Sequence, residues 1–100
     1  MALWIKANGV ALTVSPRNGK HFILAELQRY VGGYIEALDL QNGSIMWLNE
    51  EGKLNGLPYN LVADFIAHQH TGIATDDHVV GDVLIATTAE TGDDEEEDED

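Results

Sequence analysis

Val79-Val80-Gly81-Asp82-Val83-Leu84-Ile85-Ala86 decides the fold, because it is β-branched and almost continuously apolar. That composition marks a strand in the interior of a sheet. Its neighbours come from upstream, where two segments read as hairpins. Leu3 to Ala7 and Val10 to Ser15 flank Asn8-Gly9, and Tyr34 to Gln41 and Ser44 to Glu50 flank Asn42-Gly43. Asn-Gly suits the type I′ turn, which needs positive φ at both central residues. With that turn Ala7 faces Val10, Ile5 faces Leu12 and Leu3 faces Val14, stacking six apolar side chains on one face. In the second hairpin Leu40 faces Ile45, Leu38 faces Trp47, Glu36 faces Asn49 and Tyr34 faces Glu51. It is apolar near the turn and polar toward its open end.

Two helices fall between the strands. His21 to Val31 places Ile23, Leu24, Leu27, Tyr30 and Val31 at helical spacing before Gly32-Gly33 stops it. Asn60 to His70 has Leu61, Val62, Phe65 and Ile66 as its apolar residues and Asn60 as its N-cap. Thr71 to Asp77 reads as a polar connector. The order is therefore ββαββαβ, an α+β domain over residues 1–90 with two helices on one face of a mostly antiparallel five-stranded sheet. Residues 91–100 read as a disordered acidic tail.

The 100 residues carry a net charge of −13, and eight of the 18 acidic side chains lie between Asp93 and Asp100. Without them, ten acidic face five basic side chains, a charge of −5. The cations Lys6, Arg17, Lys20, Arg29 and Lys53 are spread thinly, which argues against direct nucleic-acid binding. No long apolar run or charged leader is present, so neither a membrane span nor a signal peptide is expected and the cytoplasm is the expected compartment. Zero cysteines exclude disulfides, a thiol nucleophile and a thiolate metal site. A domain this small is only marginally stable alone, and a homo-oligomer is expected.

Candidates for chemistry are few. His68 and His70 are two apart on a helix, so their rings diverge; adding His78 and Asp76 or Asp77 does not make a convincing ligand set, and no metal or cofactor is assigned. Ser15 and Ser44 sit at strand ends with no nucleophile signature. Glu36 with Glu50 or Glu51 would be the acid-base pair of an enzyme, but the expectation is a protein without catalytic residues. Gly32-Gly33 caps a helix and also lets a ligand approach backbone N–H groups. Trp4, Trp47, Tyr30, Tyr34 and Tyr59 are many aromatics for a small core and suit either a nucleobase pocket or an interface.

Pro16 with Asn18-Gly19, Leu27-Gln28, Val31-Gly32-Gly33-Tyr34-Ile35-Glu36, Leu48-Asn49-Glu50-Glu51-Gly52-Lys53-Leu54, Leu57-Pro58 with Asn60, and Val80-Gly81-Asp82-Val83-Leu84-Ile85 recur together in a known pattern. The chain resembles a family of small phage, prophage and plasmid-borne proteins known as domain of unknown function 3846. The resemblance runs from about Ser15 to Ala86, and the acidic tail departs from it. It implies an accessory role in infection or transfer. On that reading the protein sequesters a small nucleotide-derived immune signal, as an anti-defence sponge. The alternative is an acidic inhibitor or DNA mimic acting on a host defence protein. The expected ligand residues are Gly32, Gly33, Tyr34, Glu36, Trp47, Asn49, Glu50, Lys53 and Asn60, with Tyr34 or Trp47 stacking on a base and Lys53 supplying charge. Asn49 and Asn60 lead because neither is easily justified as core.

Overall fold

Only the second half of the apolar run, from Val83, forms the middle strand of the sheet; Val80 makes an isolated bridge to Tyr59, and Gly81, at φ 79°, breaks the run. The computed structural model describes residues 1–70 and 77–91. Its elements are β1 (Ala2–Ile5), β2 (Ala11–Val14), α1 (Leu24–Val31), β3 (Ile35–Asp39), β4 (Ser44–Asn49), α2 (Leu61–His70) and β5 (Val83–Thr87), followed by a 3-10 turn at Thr88–Thr91. The strands lie in the order β2-β1-β5-β4-β3 and every pairing is antiparallel. The α+β class, the ββαββαβ order and the five-stranded sheet are those the sequence predicts. The acidic run from Asp93 and most of the Thr71–Asp77 connector lie outside the described residues.

Both hairpins differ from expectation by one residue of register. Trp4 pairs with Leu12 and Ala2 with Val14, while Ala37 pairs with Trp47 and Ile35 with Asn49. The turns explain the slip. Gly9 alone takes positive φ, at 96°, and Lys6 N–H donates to Val10 O at 2.8 Å, so Ala7, Asn8 and Gly9 all lie in the loop. Asn8 accepts the Val10 N–H on its side-chain oxygen instead of adopting a left-handed backbone. The second turn has the same loop length, with Leu40 N–H donating to Ser44 O and Asn42 accepting from Ser44 N–H, but here Gln41 as well as Gly43 takes positive φ, at 64° and 89°. Three-residue loops of this kind shift the pairing by one, which turns every β2 and β3 side chain to the other face.

Successive side chains of β5 alternate between the faces. Leu84 and Ala86 pack with Ala2, Phe22 and Leu27, flanked by Trp4, Tyr30 and Trp47, so α1 covers one face. Val83 packs with Ile5, Met46, Ala63, Ala67 and Val79, flanked by Ile66 and Ile85, so α2 covers the other. Each helix thus has its own face rather than sharing one, which is the cover an unbroken apolar strand requires. The surplus aromatics are largely absorbed on the α1 side. Trp4 donates its indole N–H to Tyr30 O at 3.0 Å and meets the Tyr30 ring edge-on, with centroids 5.0 Å apart.

Candidate functional site

The double glycine ends α1 and opens the first cleft. Gly32 adopts φ 82°, and the N–H groups of Gly32 and Gly33 both donate to Gln28 O, at 2.8 and 3.1 Å. Gly33 is needed for a different reason: a Cβ there would lie 2.9 Å from the Asn49 amide nitrogen. Asn49 is buried at the end of β4, where its amide donates to Val31 O at 3.3 Å and its oxygen accepts Glu51 N–H at 2.8 Å. It therefore joins the end of α1 to the loop after β4. The hollow above this junction has a volume of about 270 Å³ and is walled by Gln28, Tyr34, Glu51 and Asn55, with Gly32, Gly33 and Asn49 beneath. Tyr34 is 63% exposed at its edge. Gly32 also borders an adjoining hollow of about 370 Å³ that carries Arg29, Trp4 and Asp82.

A second cleft, of about 290 Å³, opens at the mouth of the β3–β4 hairpin. Register places Glu36 opposite Leu48 and Leu38 opposite Met46, on the sheet face that packs against α2. Its apolar lining is Leu38, Leu48, Val79 and the exposed Leu54, and its polar lining is Glu36, Glu50, Lys53, Asp77 and the buried Asn49. Lys53 is ion-paired with Asp77. The Lys53 ammonium holds the Asp77 carboxyl below its ordinary range.

Behind this cleft lies a polar cluster centred on Asp64, 7% exposed. Its carboxylate accepts Val79 N–H and the Tyr59 hydroxyl, each at 2.9 Å, and stands 3.4 Å from His68 Nδ1 and 3.6 Å from His78 Nδ1. Burial pushes the Asp64 pKa up, but the Val79 and Tyr59 bonds and the two imidazoles outweigh it and leave the carboxyl below its ordinary value. The same bond raises the Tyr59 hydroxyl. Among the described residues no group of three or more His, Asp or Glu side chains is placed to hold a metal ion. No described helix is long and apolar enough to cross a membrane.

The expected ligand residues thus separate into groups. Gly32, Gly33, Tyr34 and Asn49 meet in the first cleft; Glu36, Asn49, Glu50 and Lys53 meet in the second. Trp47 lines neither. It packs beside Leu84 and Ala86, with its buried indole N–H lacking a hydrogen-bond partner among the described residues. Asn60, 1% exposed, is the N-cap of α2: its oxygen accepts Ala63 N–H at 3.1 Å while its amide donates to Ile5 O at 3.0 Å and Gly81 O at 2.8 Å. Both amide N–H groups and the side-chain oxygen are thus engaged by the backbone in seating the helix. Gln28, Arg29 and Asn55 were not expected in a site. Gln28 lies four residues before Gly32, one helical turn away, and that spacing was the available signal.

Comparison with curated proteins and with solved structures gives no match. Comparison with known families matches residues 5–99, which takes in four of the five strands, the last residue of β1, both helices and most of the acidic tail. The tail is therefore within the matched region rather than outside the shared pattern. Since nearly the whole chain is covered, it belongs to the DUF3846 family, a domain of unknown function.

Proposed function

We propose that this protein is a non-enzymatic accessory factor that binds and sequesters a small nucleotide-derived signal in the double-glycine cleft, acting in the cytoplasm of a host cell. The observation that supports this reading is the grouping of two carboxamides, Gln28 and Asn55, with the exposed Tyr34 ring around the Gly32-Gly33 backbone that carries no Cβ, over Asn49, which is held by Val31 and Glu51. Carboxamides offer a donor and an acceptor together, which suits the hydrogen-bonding edge of a base, and an aromatic ring offers its face for stacking. At about 270 Å³ the hollow is just below the range for small-molecule sites, roughly 300 to 1,000 Å³, and it adjoins the Arg29 hollow at Gly32. Arg29, across Gly32, takes the charge-supplying role expected of Lys53, which is occupied by Asp77. An anti-defence role rests on the resemblance to phage and plasmid proteins.

The test is to incubate the purified protein with a panel of nucleotide signals, remove free ligand, denature the protein by heat and identify what is released by mass spectrometry. Intact ligand supports sequestration, and a modified product identifies an enzyme instead. Tyr34→Ala and Gln28→Ala should each weaken binding about tenfold, the loss of one stacking or hydrogen-bonding contact. Unchanged affinity in both would move the ligand out of this cleft.

A further inference from the structure

We propose that a groove on the opposite face of the sheet, running from the outer side of α2 past His78 to the carboxylates at the β3–β4 mouth, docks a basic, amphipathic peptide segment of a partner protein. The helix supplies the first argument. α2 turns Ala63 and Ala67 toward the sheet, yet its outer side carries Leu61 and Phe65, 66% and 65% exposed, and Val62. A surface helix ordinarily presents polar residues to water, and one that is apolar on both sides is built to be covered. Beside it lies a hollow of about 590 Å³ walled by Leu61, Val62 and Phe65, with Asp64, His68 and His78 at its edge.

The occupant follows from charge. His78 lines both this hollow and the cleft at the hairpin mouth, so the two adjoin at its side chain. In that cleft Lys53 is paired with Asp77, which leaves Glu36 and Glu50 without an ion pair among the described residues. They line the cleft together with Leu38, Leu48 and Leu54. An apolar lining beside carboxylates accepts the aliphatic stem and cationic head of Lys or Arg. An apolar anchor at one end and cations at the other describe one amphipathic basic segment, a common ligand for a groove beside a helix. A second copy of this chain would bring like charges together, each copy carrying −13.

The experiment measures fluorescence anisotropy of the full-length protein with a labelled synthetic helical peptide bearing Leu and Phe at i, i+4 and i+7 and Lys and Arg between them. A control peptide has Glu in place of every cation. The basic peptide should bind and weaken as salt rises, and the acidic control should not bind. Phe65→Ala should weaken binding tenfold or more, and the Glu36→Gln/Glu50→Gln double variant several-fold with a flatter salt dependence. Circular dichroism checks that each variant is folded. Tyr34→Ala, in the double-glycine cleft and outside the lining of this groove, should leave peptide binding unchanged; a loss there overturns the assignment. Wild-type affinity in both Phe65→Ala and the Glu double variant would place the peptide on the acidic tail and overturn it. So would a dimer in sedimentation that Phe65→Ala dissociates, because a second copy would then be the occupant.

Discussion

The two helices cover opposite faces of one sheet by different means. α1 is held by bulk: Leu27 and Val31 are buried, and the preceding Phe22 and the aromatic Tyr30 and Trp4 fill the space beneath it. Its ends are closed locally, by Glu26 accepting Ile23 N–H at the start and by Gly32 at the finish. α2 has only Ala63 and Ala67 fully buried, with Ile66 beside them. It is instead pinned by polar groups, Asn60 reaching β1 and Gly81 and Asp64 reaching Val79. Small residues let a helix lie close to a sheet but bury little area, so hydrogen bonds must fix its position.

Substitutions should separate these modes. Asn60→Ala removes the cap and strands the Ile5 and Gly81 carbonyls, and we expect a loss of about 3 to 5 kcal/mol in urea unfolding. A loss under about 1 kcal/mol would mean that packing, not polar anchoring, seats α2. Leu27→Ala probes the other face and should cost about 2 to 5 kcal/mol, as for any buried leucine. Gly33→Ala should cost about 1 to 3 kcal/mol, because the new methyl must displace the Asn49 amide. Asp64→Asn tests the pH signature of the α2 side. The folded carboxyl lies below its ordinary value, so its bonds contribute fully above that value and are lost as pH falls through the lowered one. Below about pH 4 the wild type should therefore lose stability more steeply than Asp64→Asn, and at neutral pH it should be about 1 to 2 kcal/mol more stable. Phe65→Ala should change stability by no more than about 0.5 kcal/mol, since that ring faces solvent in the monomer.

Element order and helix caps were legible because they are local. Gly32 and Asn60 punctuate α1 and α2 through backbone geometry that a few residues determine. Register was not legible, because Asn-Gly fits both a two-residue and a three-residue loop, and the choice turns on whether Asn8 takes positive φ or bonds through its side chain. Hydrophobic patterning could not decide it either, since β1 and β5 bury side chains on both faces and a slip of one still lands on an apolar neighbour. The unbroken apolar character of β5 did carry the signal that both faces are covered. For the site, Gly32, Gly33 and Tyr34 were found because they adjoin in sequence. Asn60 was a buried polar group whose partners, Ile5 and Gly81, are distant along the chain and invisible before folding. A polar residue without an obvious place in the core reads alike whether it serves a ligand or the backbone.

The central position of β5 has a consequence for the order of assembly. β1 and β4 do not pair with each other; both pair with β5, which comes last of the five. Until it arrives, the growing chain holds two separate hairpins, each with an unprotected edge and neither able to close the domain. Folding then waits on contacts that join Leu3 to Ile85 across nearly the whole chain, which slows the search for the native state. A chain stopped before Val83 would possess four of the five strands and both helices, yet lack the one piece that makes them a single body.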